Sequence, residues 1–320
     1  MSWNTLSSRQ CTLDTDIVLT GTGVHSGAPV SLILHPADAN SGYNFYVNNG
    51  THSGHVPGDF RVVSNVTLCT VLSSQTGTVV ATVEHLLAAL RALGIDNVDI
   101  ELDGNEVPIM DGSSEPFVDA IEEAGIRELD EPRRYIKVLR RIEVIDGAAR
   151  GELFPYNGFR LDVEIDFDTP VIGRQRIDID VTPGSFRRQL CRARTFGFMK
   201  DVKHLWSVGR ALGASLENTV ALGDDRILNP EGLRFSDEFV RHKALDAVGD
   251  LALAGASILG LYRSSRGGHR LNSAILHALY QNKDAWTIVE SHDLPRHREI
   301  APRADFGIAF AMPHFAAETA

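Results

Sequence analysis

The densest chemistry in the chain lies in the run Arg241-His242-Lys243-Ala244-Leu245-Asp246-Ala247-Val248-Gly249-Asp250. Read as a helix, it stacks His242, Asp246 and Asp250 four residues apart on one face. At about 100° per residue, the three side chains span roughly 80° of the circumference. Val240, Ala244, Ala247, Val248 and Leu251 cover much of the rest, which sets an acidic-imidazole ridge apart from a core face. A His and an Asp at i, i+4 can share one metal ion, as paired histidines do in zinc peptidases. The same spacing also fits a solvated charged face.

A second imidazole stands far upstream, in Thr82-Val83-Glu84-His85-Leu86-Leu87-Ala88-Ala89-Leu90. Val83, Leu86, Leu87, Leu90 and Leu93 form an apolar stripe at helical spacing. His85 lies off that stripe, beside Ala88, Ala89 and Ala92, small residues that allow another element close. Glu84 is well placed to handle water at a metal held by its neighbour. Taken alone, the Glu-His pair also fits the exposed start of an ordinary helix.

The elements that must position these residues fall into two halves of the same order. Residues 1–130 read as strands at Asp16 to Thr20, Val30 to Leu34 and Tyr43 to Val47, then the Glu84-His85 helix. A strand at Val98 to Leu102, a turn at Asp111-Gly112-Ser113-Ser114 and a helix from Pro116 to Ala124 follow. Residues 131–320 read as strands at Tyr135 to Leu139, Ile142 to Ile145 and Leu161 to Phe167, then the His242 helix. A strand at Ser257 to Tyr262, a turn at Gly267-Gly268-His269 and a helix from Ser273 to Tyr280 complete that half. Asp130-Glu131-Pro132-Arg133 reads as the linker. His85 and His242 thus occupy equivalent first-helix positions. If the halves pack about a pseudo-twofold axis, both imidazoles reach one metal, with Asp246 as third ligand. Three protein ligands leave a coordination position for water, the catalytic pattern for zinc.

Composition narrows the function classes. The chain has 320 residues, 31 Lys and Arg against 42 Asp and Glu, and a formal net charge of -11. That balance argues against nucleic acid, whose phosphates require a basic surface. Cys11, Cys69 and Cys191 are odd in number and in no CxxC pattern, which suits a reducing cytoplasm and disfavours a thiolate metal site. Met1-Ser2-Trp3-Asn4-Thr5 lacks the basic and apolar regions of a signal peptide. The longest apolar run, Leu251 to Tyr262, is too short to span a bilayer. His52, His55 and Asp59 form a rival metal-like cluster that reads as a polar turn.

Several segments together resemble one family. They are Gly21-Thr22-Gly23-Val24-His25-Ser26-Gly27, Thr82 to Leu86, Pro108-Ile109-Met110-Asp111-Gly112-Ser113 and Phe154-Pro155-Tyr156-Asn157-Gly158-Phe159. Arg192-Ala193-Arg194-Thr195-Phe196-Gly197-Phe198, the run from Phe239 to Asp250, and Gly268-His269 continue the series. In this order they are similar to the UDP-3-O-acyl-N-acetylglucosamine deacetylases, zinc amidases of lipid A biosynthesis in Gram-negative bacteria. The segment from Gln281 onward maps to nothing in that pattern and reads as a variable tail.

The resemblance implies an α+β protein of two similar domains, each a mainly antiparallel sheet with a helix pair, the helical layers facing each other around Zn2+. It implies His85, His242 and Asp246 as zinc ligands and Glu84 as general base. His269 would be the protonated group that stabilises the oxyanion and protonates the leaving amine, held charged and oriented by Asp250. Thr195 would donate to the oxyanion and Lys243 would supply positive charge. Thr195 also reads as a turn hydroxyl, Lys243 as a solvated lysine and His269 as a loop residue.

For the substrate, the resemblance implies an acyl passage built by Phe196, Phe198, Met199, Val202, Leu205 and Trp206. A core-packing amphipathic helix fits their pattern as well. The stretch from Gly54 to Val80 would shape the opposite rim, with Cys69 on it or in the core, and Tyr156 and Phe159 would contact nucleotide and sugar. The partner is thus a small acylated UDP-sugar, met by a cytoplasmic monomer without nucleic-acid or integral-membrane partners. A non-catalytic sugar-nucleotide binder is the competing class; an intact Glu84, Thr195 and His269 speak against it. A zinc peptidase would carry His-Glu-x-x-His, which neither His85 nor His242 begins.

Overall fold

The computed structural model describes residues 6–50 and 53–293. In the first half, β1 (Arg9–Leu13), β2 (Ile17–Thr22), β3 (Pro29–Pro36), β4 (Tyr43–Asn48) and β5 (Ser53–Pro57) precede three short strands. These are β6 (Val63–Asn65), β7 (Val71–Ser73) and β8 (Val79–Ala81); α1 (Glu84–Leu93), β9 (Val98–Leu102), α2 (Glu115–Ala124) and β10 (Ile126–Pro132) follow. The second half opens with β11 (Arg134–Val138), β12 (Ile142–Asp146), β13 (Ala149–Phe154), β14 (Phe159–Asp166) and β15 (Arg174–Asp180). Next come α3 (Pro183–Gln189), β16 (Phe196–Phe198), α4 (Met199–Ser207) and β17 (Val220–Leu222). It closes with α5 (Glu238–Ala252), β18 (Ser257–Ser265), α6 (His269–Gln281) and β19 (Trp286–Glu290).

The repeat of architecture is explicit in the two large sheets. One runs β2-β3-β9-β4-β5, antiparallel except where β4 pairs with β9. The other contains β12-β13-β18-β14-β15, antiparallel except where β14 pairs with β18. Strand order and direction are the same, and β11 and β19 extend the second sheet. The strands are half-buried by simple alternation: in β3, Val30, Leu32 and Leu34 are buried while the residues between them are partly exposed, as a period of two dictates. This is the α+β fold expected from the sequence.

The helices carry the site between the sheets. Every residue of α1 is buried, and α5 buries all but Arg241 and Lys243. The acidic-imidazole ridge of α5 therefore faces inward onto α1, not outward to water. Gly249 sets the distance: a Cβ there would stand 1.9 Å from the Glu84 carbonyl oxygen. The backbone of one helix rests on that of the other at the residue before His85. α1 then stops at Gly94, whose φ of 77° turns its N–H back to the carbonyls of Leu90 and Arg91, a left-handed cap that glycine adopts without strain.

Four segments differ from expectation. Asp130 to Arg133 is no loose linker: β10 pairs with β1, and Arg133 is buried with its guanidinium on Asp96 and the Gly94 carbonyl. A buried cation needs such partners, and they order the junction. The last helix begins at His269 instead of Ser273, because Leu271 and Ile275 already face the core. The cluster from Phe196 to Trp206 is not one helix, since Phe196–Phe198 pair in parallel with β17 and α4 starts at Met199. Beyond Gln281 the chain forms β19, antiparallel to β11; residues 294–320 lie outside the described residues.

The close crossing yields a direct test. Gly249→Ala should destabilise the protein by about 1–3 kcal/mol, the scale of overpacking a filled interior, because the clashing atom is backbone and cannot rotate away. Urea denaturation measures this, and a loss under about 0.5 kcal/mol would mean that the helices are not in backbone contact there.

Candidate metal centre and active site

The site begins with how α1 is launched. Thr82 precedes the helix at φ 59°, a strained conformation for a β-branched residue. Its hydroxyl is tied to Glu106 at 3.0 Å. The same carboxylate accepts the backbone N–H groups of His25 and Ser26 at 2.8 and 2.9 Å. Glu106 thus locks the Gly23 to Ser26 loop to the start of α1. Nearby, Gly112 lets the Asp111 turn approach the segment after β16, since a Cβ there would lie 2.0 Å from the Asn218 carbonyl. The Gly112 carbonyl in turn accepts the Thr195 N–H at 2.8 Å.

His85, His242 and Asp246 converge between α1 and α5, with one ligand atom of each within 4.8 Å of the others. His85 Nε2 is 3.5 Å and His242 Nε2 3.4 Å from Asp246 Oδ1. That oxygen is buried and has no hydrogen-bond partner, an arrangement that water or an ion normally relieves. His242 Nδ1 lies 3.1 Å from the Ala193 carbonyl. Donating its proton there leaves Nε2 with a lone pair toward Asp246, the way a ligating histidine is commonly oriented. Asp246 Oδ2 accepts from Lys243 at 2.7 Å. Two imidazoles and a carboxylate, all buried, fit a divalent ion of the zinc class. Among the described residues no other such grouping occurs. Of the rival cluster, His55 pairs with Asn44 and Asp59 with Arg61, while His52 lies outside the described residues.

Glu84 and His269 face each other beside this triad, Oε1 to Nε2 at 3.7 Å. His269 Nδ1 is 2.8 Å from Asp250 Oδ2. His269 is the first residue of α6, where the positive end of the helix dipole disfavours imidazolium. Burial disfavours it too, yet Asp250, Glu84 and Asp246 outweigh that burial and raise its pKa to about 9. Burial raises the Glu84 carboxyl, an effect that His269 and His85 oppose. For Asp246 burial is overcome by His242, Lys243 and His269, which hold it well below the usual carboxylate range. Burial pushes His242 down to about 3, so it is neutral, as a ligand must be. A divalent ion at this triad would add positive charge beside the carboxylates of Glu84, Asp246 and Asp250.

The triad opens into a cavity of about 900 Å³. Thr195, Phe196, Phe198, Met199, Lys243, His269 and Cys69 all line it. α4 buries none of its residues in the core, and Trp206 is 56% exposed; this helix is a cavity wall. Val66, Leu68 and Cys69 also line the cavity. Cys69 is buried there, its thiol pushed up to about 12 chiefly by burial. Lys243 lies 5.5 Å over the Phe196 ring. Tyr156 and Phe159 are not brought into this cavity: Tyr156 donates to Asp180, and Phe159 packs on the core.

Sequence reasoning overlooked four groups here. His25 lines the cavity, although its motif was in view. The Ala193 carbonyl and Thr70 are set by tertiary packing, without a local signal. Asn272, which donates to Asp250 at 2.8 Å, was within reach, because it lies three residues beyond His269 on one helix.

Two facing helices that bring together two His and one Asp able to hold a metal ion, flanked by a carboxylate and an imidazole, have the pattern of a metal-dependent hydrolase. The sequence comparisons give its kind. Residues 10–281 match the family model for UDP-3-O-acyl N-acetylglycosamine deacetylase. Proteins named UDP-3-O-acyl-N-acetylglucosamine deacetylase from Brucella ovis and Brucella abortus are 48% identical over 287 residues, covering 89% of this chain and 100% of theirs. The chain belongs to this deacetylase family.

The balance at His269 predicts a titration. In the metal-free protein its imidazole should titrate near pH 9 by NMR. Because this pKa is raised, the ionised contact stabilises the fold fully below the unfolded value of about 6.5 and is lost as pH rises through about 9. Asp250→Asn should lower the midpoint, since burial then meets less opposition. An unchanged midpoint would exclude Asp250 as the main source of the shift.

Proposed function

We propose that this chain hydrolyses the N-acetyl group of UDP-3-O-(3-hydroxyacyl)-N-acetylglucosamine, releasing acetate and the free amine, with zinc held by His85, His242 and Asp246. The observation that carries this reading is the convergence of both imidazoles on the orphaned Asp246 oxygen, beside the Glu84–His269 pair and at the base of a largely apolar cavity. When bound, the ion would polarise the amide carbonyl and make water a stronger nucleophile at neutral pH.

The chain's own residues do the rest. Glu84 accepts a proton as water attacks the acetamide carbon. Charge then grows on the carbonyl oxygen, where the Thr195 hydroxyl and Lys243 stabilise it in a site poor in water. His269, protonated at Nε2 and oriented through Nδ1 by Asp250, gives its proton to the amine nitrogen as the C–N bond breaks. Its facing partner Glu84 can return the proton it took, so the pair is reset without outside help. The apolar wall of Phe196, Phe198 and Met199 takes the acyl chain, while the nucleotide lies toward solvent.

The same reading divides the chain near residue 130 into two repeats, one giving Glu84 and His85, the other His242, Asp246 and His269. It makes the protein a monomer of the cytoplasm. The three cysteines are unpaired, which suits that compartment. Among the described residues no helix is long and apolar enough to cross a membrane.

Two outcomes test the assignment of roles. His85→Ala, His242→Ala and Asp246→Ala should each lose metal and activity together, because three ligands leave no redundancy. Glu84→Gln and His269→Ala should retain the metal and lose about 10²–10⁴ in turnover, measured as amine release alongside metal analysis. A His85→Ala enzyme with full zinc and full turnover would sink the two-helix centre.

The acyl wall is tested by substrate length. Phe198→Ala and Met199→Ala should impair substrates with long 3-O-acyl chains far more than short ones, since those contacts are remote from the reacting carbon. Equal losses on both would assign these side chains to folding.

A further inference from the structure

Thr70 stands just before β7 and is 2% exposed, yet nothing in the mechanism uses it. Two of its three polar groups reach the catalytic centre, and the third holds the residue before α1. Its N–H donates to Glu84 Oε2 at 3.1 Å, and its carbonyl accepts from the Val83 N–H at 3.5 Å, at the start of α1. Its hydroxyl donates to Asp250 Oδ1 at 2.6 Å. The other Asp250 oxygen is shared by His269 Nδ1 and Asn272 Nδ2, each at 2.8 Å. Asn272 is itself fixed by the Tyr262 hydroxyl at 2.7 Å.

One residue of the first half therefore touches the carboxylate that accepts the proton and the carboxylate that orients the imidazole donating it. Thr70 and Asp250 are 180 residues apart in sequence. Leu68, at φ 71°, reverses the chain so that its own side chain is half exposed while Cys69 and Thr70 turn inward. A carboxylate can rotate about its Cβ–Cγ bond. Asp250 has one oxygen anchored from each half of the protein, so it cannot swing without breaking a buried hydrogen bond, which carries the full desolvation penalty of the group left unpaired.

We infer that Thr70 is a positioning residue for the deacetylation, its hydroxyl fixing the Asp250–His269 pair in register with Glu84. This rests on Glu84 as base and His269 as acid. The Thr70 hydroxyl works through Asp250 and touches no reacting atom. Its backbone N–H holds Glu84 whatever the side chain, so side-chain substitution isolates the Asp250 branch.

The experiment is a kinetic cycle on the metal-loaded enzyme: Thr70→Val, Thr70→Ala, Thr70→Ser, His269→Ala and the double variant Thr70→Val with His269→Ala. Urea midpoints and metal content are recorded for each. Thr70→Val should lower kcat about 10–100-fold, the usual cost of losing an outer partner of such a centre, with KM within about threefold and metal retained. Thr70→Ala should show the same loss, which covers the case of a poorly folded valine variant. Thr70→Ser should restore kcat to within about threefold. In the His269→Ala background, Thr70→Val should cost less than about threefold more, because residues acting as one unit are not additive. If His269→Ala is impaired but Thr70→Val and Thr70→Ala keep wild-type kcat, or the two losses multiply, the positioning role is wrong while the acid assignment stands. Wild-type turnover in His269→Ala would instead overturn the acid assignment and this inference with it.

Discussion

The contact on which the molecule depends is the crossing of α1 over α5 at Gly249. There the Glu84 carbonyl occupies the space that any side chain would need. At that separation the i, i+4 ridge of α5 meets the first turn of α1, and His85 from one half falls against His242 and Asp246 from the other. A wider crossing would admit water and separate the imidazoles. The two sheets share strand order and direction, so they present equivalent helices to the same seam. The close approach is thus a property of the repeat, completed by one glycine.

The seam is electrostatically costly, and the cost explains its wiring. Glu84, His85, His242, Asp246, Asp250 and His269 are all at least nine-tenths buried. Unpaired, such groups would neutralise or unfold the protein. Most are given a partner: Lys243 for Asp246, Ala193 for His242, Thr70 for Glu84, Thr70 and Asn272 for Asp250. Left without a hydrogen-bond partner are His85 Nδ1 and the Asp246 oxygen that faces both imidazoles, and a cation at that oxygen would satisfy it. Surrounding carboxylates keep His269 charged despite its burial. His269 can thus serve as an acid at neutral pH.

Much of this was legible in the chain because helical period does the positioning. Residues four apart on α5 share a face in any helix, so His242, Asp246 and Asp250 could be grouped before any fold was known. His85 could be paired with them because both halves repeat one order of elements. What stayed hidden was set by packing between distant segments. Thr70 reaches Asp250 only after the chain folds, and no spacing rule joins residues so far apart. The apolar run from Phe196 to Trp206 has helical spacing throughout, yet pairing with β17 draws its first three residues into a strand. Asp130 to Arg133 has the composition of a linker; its order comes from β1 and from Asp96, outside its own sequence.

The central claim is that one metal ion is shared by the two halves at the α1–α5 seam. Anomalous diffraction at the zinc edge, on crystals of the active enzyme as purified, tests it most directly. The account predicts one strong peak bounded by His85 Nε2, His242 Nε2 and Asp246 Oδ1, with zinc–nitrogen distances of about 2.0–2.1 Å. A peak held by His269 and Asp250 instead, or by residues of a single half, would contradict it.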